Sequence, residues 1–119
     1  MMNGKKIWVI PDGFMSNTKI EGYVSHEAVC VLNLGEKDAE IKITVYFEDR
    51  EPLTGFTAEC KSQRTNHIRL DKIENDKGVT IPREVPYALL VESNVDVICQ
   101  HSRMDVSDPN ITLMTTIPY

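Results

Sequence analysis

Side chains that could bind a ligand or carry a proton occur in two stretches that are far apart in the sequence. His26 and Glu27 lie in the first stretch, and His101 and Arg103 lie in the second. Two imidazoles and a carboxylate could hold Zn²⁺ or Fe²⁺, or hydrogen-bond the hydroxyl groups of a sugar. The HxH, HxxE and HExxH spacings of known metal sites are absent. We therefore predict a polar ligand site without a metal; the alternative is that the histidines only tie loops together.

A second group of basic side chains lies near the middle of the chain. Arg64, His67 and Arg69 are close together in the sequence, and the planar group of arginine suits carboxylates, phosphates and acidic sugars. We include Arg64 and His67 among the candidate ligand-binding residues. The alternative is a solvated strand face whose charges pair with acidic neighbours.

Nucleophilic catalysis has little support in the sequence. Ser25 precedes His26, but adjacent residues of a strand point to opposite faces. The GxSxG turn of a serine nucleophile and the glycine-rich loops that bind phosphate are both absent. No catalytic residue is predicted.

A strand-like stretch leads into the second candidate pair. Val95, Val97 and Cys99 alternate with other residues, so they share one face of a strand with His101 and Arg103. An apolar row thus runs directly into a titratable ring and a fixed positive charge. We expect these two side chains at the mouth of the core; the alternative is a strand end that frays into solvent.

Two hairpins are predicted from the spacing of strands and turn residues. Ala28–Leu34 and Ala39–Phe47 are joined by a short polar connection, and the second stretch alternates apolar and polar residues. Ser93-Asn94 would form a two-residue turn between the strands Tyr87–Glu92 and Val95–Arg103. Both faces of this second hairpin would be apolar, which predicts that a closed homo-oligomer covers one of them.

The whole chain shows the same pattern of short apolar stretches punctuated by glycine, proline and asparagine. About eight short strands and no convincing helix are predicted, with polar loops at Phe14–Tyr23 and at Asp105–Asn110, the latter around an Asp108-Pro109 turn. This pattern predicts an all-β fold, an antiparallel β-sandwich that forms a single domain over residues 1–119. A closed barrel is the alternative.

Composition and charge argue against several classes of protein. The 119 residues carry a net charge of −5, whereas nucleic-acid binding needs a basic surface. No stretch approaches the ~20 apolar residues of a membrane helix, so direct membrane insertion is not expected. Three widely spaced cysteines form no disulfide pattern and suit a reducing environment. We expect a cytoplasmic protein.

Several short motifs, taken in order, resemble one protein family. Ser25-His26-Glu27, Asp49-Arg50-Glu51-Pro52, Ile81-Pro82-Arg83 and Gln100-His101 resemble the soluble sensory rhodopsin transducer family. The resemblance covers almost the whole chain. It implies a cytoplasmic β-sandwich that assembles as a homotetramer and works beside a membrane sensory rhodopsin, a seven-helix retinal photoreceptor. It also implies a likeness to carbohydrate-binding folds.

The resemblance, together with the candidate residues, predicts a non-enzymatic signalling or binding module. Its partners would be further copies of itself, a membrane sensory rhodopsin, or a small polar ligand such as a sugar. Retinal would belong to the receptor, so no cofactor is expected in this chain. The alternative is an enzyme of carbohydrate metabolism that uses His26, Glu27 and His101 for acid–base or metal chemistry.

Overall fold

The computed structural model describes residues 3–107 and 111–119. These residues contain no helix, and hence none able to span a membrane. Their strands are β1 (Lys5–Gly13), β2 (Lys19–Ile20), β3 (Tyr23–Val24), β4 (His26–Asn33), β5 (Ala39–Phe47), β6 (Leu53–Cys60), β7 (Arg64–Arg69), β8 (Tyr87–Asp105) and β9 (Thr112–Thr116). The predicted all-β class is confirmed. The predicted Asp108-Pro109 turn lies outside the described residues.

The longest strand, β8, connects the two halves of one seven-stranded sheet. Its 19 residues pair first with β1 and β5 and then with β4 and β9, always antiparallel. β6 pairs with β5 and β7 pairs with β4, which gives the order β6-β5-β8-β4-β7. The sheet curls so that its halves face each other. We call the half with β1, β5 and β6 the first layer and the half with β4, β7 and β9 the second layer.

One hydrophobic core lies between the two layers. Strand β5 buries Ile41, Ile43 and Val45 in it, as the predicted alternation requires. Val29 and Val31 of β4 reach the same core from the second layer. Burying an aliphatic side chain of this size stabilises the fold by about 1.5–3 kcal/mol relative to its exposure in water. The core therefore decides which face of each strand points inward, and with it the position of every polar side chain on that face.

The predicted turn at Ser93-Asn94 is wrong, because both residues lie inside β8. Ser93 pairs with Ile41 of β5. The side-chain oxygen of Asn94 accepts a hydrogen bond of 2.7 Å from the backbone N–H of Glu40. Pairing with β5 thus overrides the local turn propensity, while the ladder with β1 is irregular between Glu92 and Val97. The two supposed hairpin strands are one continuous strand, so there is no doubly apolar hairpin for an oligomer to cover.

The predicted hairpin between β4 and β5 is also wrong. β4 pairs with β7 and β8, whereas β5 pairs with β6 and β8, so residues 34–38 cross from one layer to the other. Asn33 holds this crossing, since its Nδ2 donates to the carbonyl oxygens of Lys37 at 2.8 Å and of Cys60 at 3.0 Å. Although β4 and β5 are neighbours in sequence, they lie in different layers because each pairs with a different half of β8.

The predicted loop Phe14–Tyr23 contains most of a small hairpin formed by β2 and β3, which pair antiparallel. The connecting residues Glu21 and Gly22 have positive φ angles of 49° and 86°. A tight two-residue hairpin turn requires this pair of conformations. Each strand has only two residues, too few for an alternating pattern to reveal it in the sequence.

Candidate functional site

A carboxylate buried in the core forms the centre of the candidate site. Glu27 lies on the inward face of β4, and 0% of its surface is exposed. The register between β4 and β8 places Glu27 directly opposite Arg103 and places Val29, two residues further along β4, opposite His101. This pairing brings together the two stretches that are far apart in the sequence and carry the candidate residues.

Four hydrogen-bond donors surround this carboxylate. Oε1 of Glu27 accepts from Nε2 of His101 at 2.7 Å and from the hydroxyl of Tyr87 at 2.6 Å. Oε2 accepts from Nε of Arg103 at 2.9 Å and from the backbone N–H of Phe14 at 2.8 Å. In the part of the chain that the structure describes, no buried side-chain nitrogen or oxygen lacks a hydrogen-bond partner. We call Glu27, Tyr87, His101 and Arg103 the Glu27 cluster.

The surroundings of Glu27 keep its carboxylate ionised. Burial by itself would raise its pKa, but hydrogen bonds from His101, Tyr87 and the Phe14 backbone bring the pKa below its usual value. Burial and the neighbouring carboxylate raise the pKa of the Tyr87 hydroxyl, so this group stays protonated and donates. Glu27 is therefore a fixed negative charge and a hydrogen-bond acceptor, not a proton donor at neutral pH.

Close packing positions the Tyr87 ring for its hydrogen bond to Glu27. Gly13 of β1 pairs with Tyr87, and a Cβ atom at position 13 would overlap the aromatic ring. Tyr87 is only 3% exposed, so its hydroxyl depends on a protein partner. A glycine is required at this position because the ring approaches the backbone so closely.

A second group of charged residues adjoins the Glu27 cluster. Asp71, whose side chain is 5% exposed, accepts two hydrogen bonds of 2.8 Å from Arg69 and lies 3.6 Å from Arg83. Arg83 also donates to the backbone carbonyls of Ser16 and Ser25, at 2.7 Å each. Burial would raise the pKa of Asp71, but its contacts with Arg69 lower it. These bonds tie together the end of β7, the segment that contains Arg83 and the two sides of the β2–β3 hairpin.

Three of the predicted ligand-binding residues come together, namely Glu27, His101 and Arg103. His26 does not join them, because adjacent strand residues point to opposite faces. Its Nδ1 atom instead lies 2.9 Å from the backbone carbonyl of Val24. The prediction that His26 shares one pocket with Glu27, His101 and Arg103 therefore does not hold for His26.

Arg64 and His67 lie apart from the Glu27 cluster, on β7. His67 pairs with Cys30 of β4 on the outer face of the second layer, where both residues line a cleft of about 380 Å³. Arg64 is exposed, and its Nη1 donates to the backbone carbonyl of Gln63 at 3.0 Å. The candidate residues therefore do not form a single site.

The sequence does not predict two of the groups that contact Glu27. Tyr87 is predicted only as the first residue of a strand. The other group is the backbone N–H of Phe14, and almost every residue has such a group. A signal for Tyr87 does exist, since it shares its strand face with Leu89 and Val91. The hydroxyl of an inward-facing tyrosine needs a hydrogen-bond partner, and the carboxylate of Glu27 could have been proposed as that partner.

A cleft of about 310 Å³ opens beside the Glu27 cluster. His101 and Arg103 line it together with Asp12 from the end of β1 and Ile117 and Tyr119 from the C-terminal segment. Backbone hydrogen bonds to β1 hold the C-terminal segment in place. The cleft offers a small molecule apolar walls and a few fixed polar groups, as ligand pockets commonly do. We call it the Arg103 cleft.

Side chains that could ligate a metal are not grouped in the described ranges 3–107 and 111–119. No three residues among their histidines, cysteines, aspartates and glutamates are placed to hold one metal ion together. Protein donors contact both oxygens of Glu27. What the polar groups that line the Arg103 cleft can do chemically is donate and accept hydrogen bonds.

Comparison with known proteins identifies the family. A family model described as Anabaena sensory rhodopsin transducer matches residues 3–119. The chain belongs to this family. The crystal structure of Thermotoga maritima 1070 is 43% identical with a TM-score of 0.89, over 99% of this chain and 96% of that chain. The Anabaena sensory rhodopsin transducer is 32% identical with a TM-score of 0.77, over 88% of this chain and 92% of that chain.

No curated protein matches the chain. The family match nevertheless confirms the resemblance that the short motifs indicate, because it extends over nearly every residue. The fold that the chain shares with its solved relative therefore includes both layers.

Proposed function

We propose that this member of the sensory rhodopsin transducer family is a non-enzymatic signalling module of the cytoplasm. In this proposal a small polar ligand, such as a sugar, binds in the Arg103 cleft and alters how the module engages partner proteins. The main support is the family match over residues 3–119, with a solved relative whose name describes a sensory rhodopsin transducer. A transducer works by binding, so its functional groups are expected on surfaces that meet a ligand or a partner.

The state of Glu27 supports a binding role over the enzyme alternative. A general acid works best when its pKa lies near the working pH. The pKa of Glu27 lies below its usual value, because the hydrogen bonds that lower it outweigh the effect of burial. Nε2 of His101 is engaged by the same carboxylate. His26, the third residue of the alternative, points elsewhere. The hydrogen bonds of the Glu27 cluster fix the positions of its side chains, which suits recognition of a ligand.

The Arg103 cleft supplies the surface for recognition. Arg103 is 19% exposed, so part of its planar group is open to a ligand. Tyr119 is 78% exposed at the cleft and offers an aromatic face. Hydroxyl groups of a sugar could bond the polar groups while its C–H surface packs on the apolar walls.

Exposed apolar side chains support partner binding by the module. The proposed partners are further copies of the chain, in a homotetramer, and a membrane sensory rhodopsin. The large hydrophobic residues that are exposed between positions 111 and 119 are Ile111, Leu113, Met114, Ile117 and Tyr119. Contiguous exposed apolar surface marks interaction sites, and in this proposal these side chains supply it. Free thiols at all three cysteines accord with a cytoplasmic setting.

Calorimetric titration of the purified protein with a panel of neutral sugars tests the proposal, with nuclear magnetic resonance spectra of each sugar recorded before and after incubation. Binding without any change in the sugar supports a non-enzymatic module. Conversion of a bound sugar would establish the enzyme alternative. A second titration uses a detergent-solubilised sensory rhodopsin; binding of neither sugar nor receptor would overturn the proposal.

A further inference from the structure

Carboxylates outnumber positive charges around Arg103. Its Nε donates to Oε2 of Glu27 at 2.9 Å, and its Nη2 donates to the backbone carbonyl of Asp12 at 3.1 Å. The same Nη2 lies 3.6 Å from the Asp12 carboxylate. Asp105 lines an adjoining cleft of about 220 Å³ with Arg103 and interacts with its charge. Three carboxylates therefore face one guanidinium.

The carboxylates remain in excess whatever the charge of His101. A protonated His101 would bring the positive charges to two, against Glu27, Asp12 and Asp105. Arg83 is directed at Asp71 and at the backbone carbonyls of Ser16 and Ser25, and it does not line the Arg103 cleft. Burial would lower the pKa of Arg103, but Glu27 and Asp12 raise it, which agrees with a negative environment.

We infer that the Arg103 cleft selects ligands with neutral hydroxyl groups or a positive charge and rejects carboxylates and phosphates. An isolated arginine would attract an anion, but here protein carboxylates already neutralise the guanidinium. An anionic ligand would add a like charge close to Asp12 and to the buried carboxylate of Glu27, and these charges repel it most strongly at low salt. A hydroxyl group avoids this repulsion because it can accept from Arg103 and donate to Asp12.

Asp12 is the residue that the geometry assigns as the specificity determinant. Its side chain is 84% exposed, so it meets the ligand without holding the fold. Glu27, by contrast, is fully buried and supports the structure. Replacing Asp12 should change which ligands bind while leaving the protein folded. This inference rests on the proposed ligand-binding function, since it concerns the same cleft.

A matched series of sugars that differ only at C6 separates charge from shape. Glucose, glucuronate and 6-amino-6-deoxyglucose carry a hydroxyl, a carboxylate and an ammonium group there, and the same series exists for galactose and mannose. Calorimetry at low salt should show the carboxylate form binding at least about tenfold more weakly than the neutral form of whichever sugar binds. The ammonium form should bind as well as the neutral form or better.

The variant Asp12→Asn should reduce this discrimination several-fold. Asp96→Asn makes the same change of net charge on the protein at a cleft formed by Leu34, Lys37 and Val95, so it should leave the discrimination unchanged. Tighter or equal binding of the uronate by the unmodified protein would overturn the inference and leave the proposed function standing. Unchanged discrimination in Asp12→Asn would remove Asp12 as its cause. Failure of every sugar to bind would overturn the proposed ligand binding itself.

Discussion

Oε1 of Glu27 lies 2.7 Å from Nε2 of His101, although the two residues are 74 positions apart in the sequence. An ionised carboxylate can only accept, so Nε2 carries the proton in this hydrogen bond. Both side chains are almost completely buried, with 0% of Glu27 and 4% of His101 exposed. Water cannot replace either partner at that depth, and the stability of the fold is therefore coupled to this pair.

Replacing the central carboxylate should destabilise the protein strongly. Glu27→Gln substitutes an amide donor for one acceptor oxygen and leaves Arg103 without its buried counter-charge. We expect a loss of about 2–4 kcal/mol in the free energy of unfolding. Urea titration followed by fluorescence of Trp8, the single tryptophan, would measure it, because this ring is buried. Glu40→Gln on the exposed face of β5 is the matched control and should change stability little; equal stability of the two variants would contradict a structural role for Glu27.

Acid should destabilise the protein through the two buried carboxylates. The pKa of Glu27 lies below its ordinary value of 4.5 and that of Asp71 below 3.8. A group whose pKa is lowered by folding stabilises the native state above its ordinary pKa, and this stabilisation is lost as the pH falls toward the folded value. The urea midpoint should therefore decline below about pH 4.5. Glu27→Gln should show a shallower decline, and a midpoint that stays constant down to pH 3 would refute this account.

The Tyr87 hydroxyl should contribute a measurable part of the stability. Tyr87→Phe removes one of the two donors to Oε1 of Glu27 and leaves the packing against Gly13 intact. We expect a loss of about 1–2 kcal/mol in the free energy of unfolding. Tyr46→Phe provides the comparison, because that tyrosine is 42% exposed. If the melting curves of Tyr87→Phe and Tyr46→Phe coincide, the buried hydroxyl of Tyr87 contributes nothing to stability.

Loss of the guanidinium should weaken ligand binding in the Arg103 cleft. Arg103→Ala removes a charged donor that is open to the ligand, and we expect a loss of about 1–3 kcal/mol in binding free energy for any sugar that binds. Arg103 also bonds to Glu27, so a melting curve must show that the variant is folded at the assay temperature. Arg64→Ala removes an arginine outside the cleft and should bind normally. Normal binding by folded Arg103→Ala would exclude the cleft as the site.

A charge in the C-terminal apolar segment should disrupt self-association. Leu113 is 73% exposed on β9, and Leu113→Asp would place a carboxylate in any interface that covers it. Light scattering at micromolar concentration should return the mass of a tetramer for the unmodified protein and a smaller mass for this variant. Val79→Asp changes another exposed apolar residue, in a loop, and should not alter the mass. A monomer mass for the unmodified protein would end the oligomer proposal.

Several features could be predicted from the sequence because they depend on local alternation. The inward face of β5 and the row that leads from Val97 through Cys99 to His101 follow from a period of two. The all-β class follows from the short apolar stretches and their turn residues. These signals act over a few neighbouring residues, so they do not depend on which strand becomes the partner of which.

Only the tertiary structure decides the pairing and the burial of charge. Ser93-Asn94 has the composition of a turn, yet pairing with β5 at Ser93 and with β1 at Glu92 and Val97 keeps β8 continuous through it. A glutamate is rarely buried, and nothing near Glu27 in the sequence shows that it will be. Its burial becomes favourable only when donors from positions 14, 87, 101 and 103 converge on it. Contacts between distant segments, which no local pattern encodes, compensate the cost of removing that charge from water.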